Sequence, residues 1–151
     1  MFFNKFSIFF ANDIGIDLGT ANTLICQKDG EIILNEPSVI ALKKNNLTPY
    51  AVGKDAKKML GKAPANIEVI RPLKDGVIAD FKSAELMLSH LIRSSSNAFN
   101  NIFIKRKIII CVPSGSTPVE RRAIQDAALN ACKSEVYLIE EPMAAALGIR
   151  L

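Results

Sequence analysis

The residues best suited to chemistry lie in a short stretch near the start of the chain. Residues 14–18 alternate between large apolar and small or polar side chains, as a strand with one face on a core does, and residues 24–28 can form a second strand. The link between them, residues 19–22, is a tight turn whose backbone N–H groups, with the hydroxyls of Thr20 and Thr23, can face an anion. Asp17, at the strand end, can hold a divalent cation through water. The stretch predicts either a phosphate-binding hairpin or an ordinary polar hairpin.

Two common nucleotide-binding loops are excluded. The sequence contains no Gly-x-x-x-x-Gly-Lys-Ser/Thr loop, and the turn at residues 19–22 is not a Gly-x-Gly-x-x-Gly dinucleotide turn. A phosphate site at this hairpin would therefore be of a different type.

A second pair of candidates, Glu140 and Glu141, follows an apolar strand and precedes Pro142 and an alanine-rich helix. In open α/β sheets, ligands bind beyond the carboxyl ends of the strands, where this pair is predicted to lie. Acidic residues are also favoured at helix N-termini for structural reasons alone. The pair by itself does not separate a catalytic role from a structural one.

The elements that must position these residues follow an α/β pattern. Residues 108–112 are an unbroken apolar run, which is expected of a central strand covered on both faces. Residues 117–120 form a capping box with proline at the first helical position, and residues 135–139 form the next strand. Strand, helix and strand in this order predict a right-handed parallel crossover.

A second amphipathic helix and a small insertion complete the pattern. The helix is capped by Asp80 or Ser83 and is expected to end in a loop at residues 93–98; its apolar side consists of Ala84, Met87, Leu88, Leu91 and Ile92. We interpret residues 32–79 as a small α+β insertion. It is predicted to contain a third hairpin strand, a strand at 39–42, a short helix at about 55–60 capped by Gly61, and extended connections at 61–80.

Composition limits the class of protein. The chain has 151 residues, which is the size of one domain. Its hydrophobic content of 49% and mean hydropathy of +0.20 indicate a globular protein. A net charge of +4 favours acidic surfaces slightly and does not indicate nucleic acid as a partner. The sequence has three widely separated cysteines, Cys26, Cys111 and Cys132, and we interpret them as reduced core thiols of a cytosolic protein. Their spacing argues against a metal site.

Two apolar segments have two interpretations each. The first, residues 1–10, is a tail packed on its own domain or a short amphipathic element in a lipid interface; its large aromatic residues are Phe2, Phe3, Phe6, Phe9 and Phe10. The second precedes the basic triplet at 105–107 and either begins the next strand or inserts between lipids; it contains Phe99, Ile102 and Phe103.

Several motifs resemble the MreB family of bacterial actins, within the actin, Hsp70 and sugar-kinase superfamily. They cover the chain after about residue 11 and lie at residues 13–24, 34–39, 58–61, 70–81, 112–123 and 138–146. The resemblance implies an actin-like, RNase H-like α/β subdomain with a mixed sheet and flanking helices at 11–31 and 80–151, carrying the insertion at 32–79. Residues 1–10 are then a membrane-associating segment, and residues 99–103 a membrane loop.

The family resemblance also implies roles for the candidate residues. Five residues would bind the phosphates of ATP: Gly19, Thr20, Ala21, Asn22 and Thr23. Asp17 would hold Mg²⁺ through water. Glu141 would orient the attacking water, and Glu140 would have a structural role. Implied partners are like subunits in a filament, the inner face of the cytoplasmic membrane, and cell-wall synthesis and morphogenesis proteins, with no nucleic acid.

The family's proteins are much longer than this chain. The second phosphate hairpin, the adenosine-binding segment and the second half are absent from these 151 residues. We therefore expect a truncated first half that does not hydrolyse ATP alone, from a protein that directs cell-wall synthesis and rod shape. The alternatives are a membrane-binding or filament-binding module without ATPase activity and, more distantly, an Hsp70-like chaperone ATPase.

Overall fold

The fold is taken from a computed structural model, which describes residues 13–74, 77–96, 107–131 and 135–149. The strands are β1 (Ile14–Leu18), β2 (Asn22–Gln27), β3 (Ile32–Pro37), β4 (Ile40–Lys43), β5 (Pro49–Val52), β6 (Ile67–Ile70), β7 (Leu73–Lys74), β8 (Val77–Ile78), β9 (Lys107–Val112) and β10 (Glu135–Glu140). The helices are α1 (Lys54–Lys58), α2 (Phe81–Ser96), α3 (Pro118–Ala131) and α4 (Glu141–Gly148).

Five strands form a mixed sheet in the order β10-β9-β1-β2-β3. β1 pairs antiparallel with β2 and parallel with β9, and β10 pairs parallel with β9. The predicted hairpin and the predicted parallel strand, helix and strand unit are therefore both present. The register places Asp17 of β1 between Leu24 of β2 and Cys111 of β9.

One face of this sheet carries the main core. Ile16 of β1 and Ile110 of β9 are buried together with the apolar side of α2 and with Ile124 of α3. The apolar side of α2 is the one predicted from the sequence. Burial of such side chains at roughly 25 cal/mol per Å² is the main favourable term in folding.

The other face of the sheet is only partly covered in the described part of the chain. Ile109 of β9 is 48% exposed and Tyr137 of β10 is 50% exposed, so the prediction that β9 is covered on both faces is wrong here. The physical reason is that α2 and α3 share one core with the inward-facing residues of the sheet. An apolar run predicts a strand, but it does not say how many layers cover it.

The second sheet has the order β5-β4-β6 and packs against α1. Because β3 pairs with β2, it belongs to the five-stranded sheet, and the second sheet begins only at Ile40. The extended connections predicted for residues 61–80 include three short strands, β6, β7 and β8. The predicted cap at Gly61 is wrong, because α1 ends at Lys58 with Met59 as its C-cap; the positive φ of Gly61 belongs to the turn that follows.

The helix ends follow local hydrogen-bonding rules. Asp80 caps α2, since its Oδ1 accepts the backbone N–H of Ser83 at 2.9 Å. The predicted capping box of α3 is confirmed: the Thr117 N–H donates to Glu120 Oε2 at 2.6 Å, and the Glu120 N–H donates to Thr117 Oγ1 at 3.3 Å. The loop predicted from residue 93 is wrong as far as Ser96, because α2 continues to that residue.

Candidate functional site

The turn between β1 and β2 lies at the carboxyl end of β1. Gly19 is required there, since a Cβ at this position would lie 2.7 Å from the backbone oxygen of Asn22. Thr20, Ala21 and Asn22 are exposed. The turn thus presents three of the five predicted phosphate-binding residues to solvent, and Gly19 gives it room to close tightly.

Ser38, directly after β3, donates two hydrogen bonds to this turn. Its N–H donates to the Ala21 oxygen at 2.9 Å, and its Oγ donates to the Gly19 oxygen at 2.6 Å. The same Oγ lies 3.0 Å from the Oγ1 of Thr23. One residue from the next hairpin therefore fixes both ends of the turn.

Thr23 is placed differently from the other predicted phosphate-binding residues. Its side chain is buried, and its hydroxyl is bonded to Ser38 within the protein. The exposed neighbour Asn22 donates from Nδ2 to the Oδ1 of Asn35 at 2.9 Å, which links β2 to β3 beside the turn. The hydroxyl of Thr23 thus faces the interior, and any contact of Thr23 with an anion stays a prediction.

The carboxylates of Asp17 and Glu141 lie near the same thiol. Burial raises the pKa of Cys111, and the negative charges of Asp17 and Glu141 raise it further. Both carboxylates are exposed and stand at the carboxyl ends of β1 and β10, on either side of β9. The predicted cation-binding and water-orienting residues are thereby brought to one edge of the sheet, as the sequence predicts for strand ends.

The donor set near Asp17 suits a hydrated cation. Among the residues that the structure describes, no group of three or more histidine, cysteine, aspartate or glutamate side chains forms a cage for a metal ion. Mg²⁺ keeps several waters and takes one or two carboxylates together with substrate phosphates. A single exposed carboxylate at the end of β1 therefore fits Mg²⁺ bound together with a phosphate ligand.

The adjacent carboxylates Glu140 and Glu141 have different surroundings. Glu140 Oε1 accepts from Arg121 Nη2 at 2.6 Å, and Arg121 Nε also donates to the Ser116 oxygen at 3.3 Å. Glu141 is the first residue of α4, is exposed, and precedes Pro142 in the first turn. The geometry makes Glu140 a link between β10 and α3 and leaves Glu141 facing solvent.

Three residues that support the site were not identified from the sequence. Ser38 and Asn35 lie in the family-like motif at residues 34–39, and Arg121 lies in the one at 112–123, but neither motif indicates what these side chains contact. Their partners become evident only when β3 and α3 are placed beside the strand ends.

The predicted membrane-contacting residues, Phe2, Phe3, Phe6, Phe9, Phe10, Phe99, Ile102 and Phe103, all lie outside the described residues. In the part of the chain that the structure describes, no helix combines the length and the apolar content that crossing a membrane requires.

Comparison with known proteins connects this arrangement to one family. A family model described as MreB/Mbl protein matches residues 11–151. Over 153 residues the chain is 52% identical to the cell shape-determining protein MreB of Escherichia coli K12, with 97% of this chain and 43% of that protein covered. Over 139 residues it is 52% identical to the cell shape-determining protein Mbl of Bacillus subtilis 168, with 92% and 41% covered.

Solved structures give the same picture of the fold. MreB5 of Spiroplasma citri bound to AMPPNP has a TM-score of 0.73 at 33% identity and covers 93% of this chain, which matches 42% of that one. The ADP-bound form has a TM-score of 0.75 at 34% identity, with 93% and 41% covered. A MamK double helical filament, at 22% identity, has a TM-score of 0.70 over 92% of this chain and 44% of that one. The predicted actin-like α/β fold is confirmed, and the chain spans less than half the length of these relatives.

Proposed function

This chain belongs to the MreB/Mbl family, and we propose that it provides the phosphate-binding part of an ATP-dependent filament protein that determines cell shape. The observation that supports this most directly is the family match over residues 11–151, which includes the turn at 19–22, Asp17 and Glu141 in one alignment. The relatives named above are cell shape-determining proteins.

The chemistry proposed for the site is phosphoryl transfer to water. The turn residues Gly19, Thr20, Ala21, Asn22 and Thr23 hold the phosphates, and Glu141 orients the attacking water. Asp17 holds Mg²⁺ through water, and that ion, when bound, neutralises charge on the phosphates. In such reactions, positioning and charge stabilisation supply most of the catalysis. Two observations support the assignment: Asp17 and Glu141 lie at the carboxyl ends of the two strands that flank β9, and the MreB5 structures contain AMPPNP and ADP.

Turnover is proposed for a protein that contains the rest of the cleft. The chain spans 43% of Escherichia coli MreB. An actin-type cleft closes on its nucleotide from both sides, so residues 13–149 present one wall of it. We expect this chain by itself to bind phosphate weakly and not to hydrolyse ATP.

Filament formation and membrane association complete the proposal. We assign residues 1–10 and the apolar residues Phe99, Ile102 and Phe103 to the inner face of the cytoplasmic membrane, with the basic triplet 105–107 toward anionic head groups. Like subunits are the proposed main partner, together with proteins of cell-wall synthesis and morphogenesis. The likeness in fold to a MamK filament is consistent with polymerisation.

The test is sedimentation of the native protein, captured from its own cells and identified by intact mass. It is mixed with vesicles of phosphatidylglycerol and phosphatidylethanolamine, with Mg·ATP or with adenosine. We expect vesicle-bound polymer that depends on Mg·ATP, together with release of phosphate. Nucleotide-independent binding to vesicles, without phosphate release, would contradict the ATPase proposal and favour the membrane-binding module.

A further inference from the structure

The hydroxyl of Ser38 is a buried polar group that contacts the turn. Ser38 is completely buried, and it follows the last residue of β3. Its Oγ contacts two groups, the Gly19 oxygen at 2.6 Å and the Thr23 Oγ1 at 3.0 Å. These two groups lie on opposite sides of the turn, and the hydroxyl of Ser38 connects them.

The direction of the hydrogen bonds follows from the number of protons. A carbonyl oxygen can only accept, so the single proton of the Ser38 hydroxyl is donated to Gly19. The Thr23 hydroxyl must then donate its own proton to Ser38 Oγ, because that oxygen has no second proton to give. The result is a buried chain that runs from Thr23 through Ser38 to the backbone of Gly19.

This chain determines where the carbonyl oxygens of the turn point. The Gly19 oxygen is held by the Ser38 hydroxyl and the Ala21 oxygen by the Ser38 N–H, so both face a buried residue. A carbonyl oxygen carries partial negative charge and would repel an anion if it turned toward solvent. Holding two of them inward keeps that charge away from the exposed side of the turn.

We propose that Ser38 is a positioning residue of the phosphate hairpin: its buried hydroxyl, bonded to Gly19 and Thr23, keeps the turn in the form that accepts a nucleotide phosphate. The inference rests on the proposed function for the identity of the ligand. The arrangement of the turn itself is independent of it, so two measurements separate the two claims.

The first measurement is amide hydrogen exchange in the 151-residue chain, without ligand. Ser38→Ala removes the hydroxyl and keeps the backbone bond to Ala21. Ser38→Thr keeps the hydroxyl. The matched control is Ser95→Ala, which removes another buried hydroxyl whose bond, to the Ile92 oxygen at 2.8 Å, lies within α2.

We expect Ser38→Ala to speed exchange of the amide of residue 38, which is bonded to the Ala21 oxygen of the turn, by about tenfold more than that of β9 amides. Ser38→Thr restores the slow exchange, and Ser95→Ala leaves this amide unchanged. Equal acceleration of this amide and of β9 amides would overturn the inference. If Ser38→Ala does not fold, Thr23→Val takes its place, since it removes only the donor to Ser38; unchanged exchange of this amide in that variant is equally contrary to the inference.

The second measurement is titration of the same variants with Mg·ATP, followed by the shifts of the turn amides. We expect Ser38→Ala to raise the Kd about tenfold, the order expected for loss of one hydrogen bond, and Ser38→Thr and Ser95→Ala to bind like the parent chain. Binding by Ser38→Ala equal to that of the parent would refute the positioning role. If the parent chain itself gives no response to Mg·ATP, the proposed function fails for this chain, and the exchange result still decides the role of Ser38.

Discussion

Arg121 and Glu140 form an ion pair in which Nη2 lies 2.6 Å from Oε1. The contact joins the first turn of α3 to the last residue of β10, and it gives two adjacent carboxylates different surroundings. Glu140 is held against the guanidinium, while its neighbour Glu141 begins α4 on the exposed side. A protein with two neighbouring glutamates can in this way use one for structure and keep the other for ligand chemistry.

The first prediction concerns this pair. Arg121→Ala should lower the free energy of unfolding by about 0.5–1 kcal/mol, the range for an ion pair that is partly exposed to solvent. The side chains are 32% and 41% exposed, so solvent screening keeps the effect small. Urea unfolding followed by circular dichroism measures the change. Arg122→Ala is the matched control because the Arg122 pair with Asp126 is more exposed, at 73% and 45%; an equal or larger loss in the control would contradict the structural role of Arg121.

The second prediction separates Glu141 from Glu140 in the native, turnover-competent protein. Glu141→Gln should retain ATP and lower the rate of hydrolysis by about 100-fold or more, the lower end of what a positioned proton acceptor contributes. Glu140→Gln weakens only the link to Arg121 and should retain most of the activity. Single-turnover phosphate release measures both rates. Unchanged hydrolysis in Glu141→Gln would refute the assignment.

The third prediction uses the thiol of Cys111 as a probe of its neighbours. Its pKa is raised by burial and by the charges of Asp17 and Glu141, so the neutral thiol is favoured on folding. The stability that this gives is present below the ordinary thiol pKa and is lost as pH rises through the raised value. At pH 8, iodoacetamide should alkylate Cys111 more slowly in the folded chain than in urea.

Removal of either neighbouring charge should partly reverse this protection. Asp17→Asn and Glu141→Gln should each speed alkylation of Cys111, because each removes a negative charge that raises the pKa of the thiol. Asp55→Asn, on α1 beside the second sheet, is the control and should have no effect. Peptide mass spectrometry reads the modified cysteine directly, and rates that do not respond to either substitution would place the carboxylates too far from Cys111.

The fourth prediction addresses the membrane. Deletion of residues 1–10, or the double change Ile102→Ser and Phe103→Ser, should each reduce co-sedimentation with phosphatidylglycerol vesicles, because each removes apolar side chains that would enter the lipid interface. Val119→Ser, which alters an exposed apolar residue on α3, is the control. Undiminished binding in both variants would remove the membrane assignment.

Local patterns predicted much of this fold. The capping box at residues 117–120 and the alternation at residues 14–18 depend on neighbours in sequence, and both appear as predicted. Ser38 and Arg121 could not be recognised in this way. Each contacts a partner 19 residues away in sequence, Gly19 and Glu140 respectively, and such contacts depend on how strands and helices are placed.

The limits of the pattern are clearest at Ile109. The run at 108–112 is apolar throughout, and the sequence predicts burial on both faces, yet this side chain is half exposed in the described part of the chain. Apolar content determines that a strand is favourable, while the number of covering layers depends on what else packs against the sheet. For the candidate site, the turn was predicted from its residues, and the buried support beneath it was not.

The measurement that tests the central claim most directly is a nuclear magnetic resonance titration of the ¹⁵N-labelled chain with Mg·ATP, with adenosine and Mg²⁺ as the matched control. The account predicts that the amides of residues 19–23 shift with Mg·ATP and do not shift with adenosine, with the dissociation constant of a weak, one-sided site. Shifts centred away from residues 19–23, or no response at all, would contradict it.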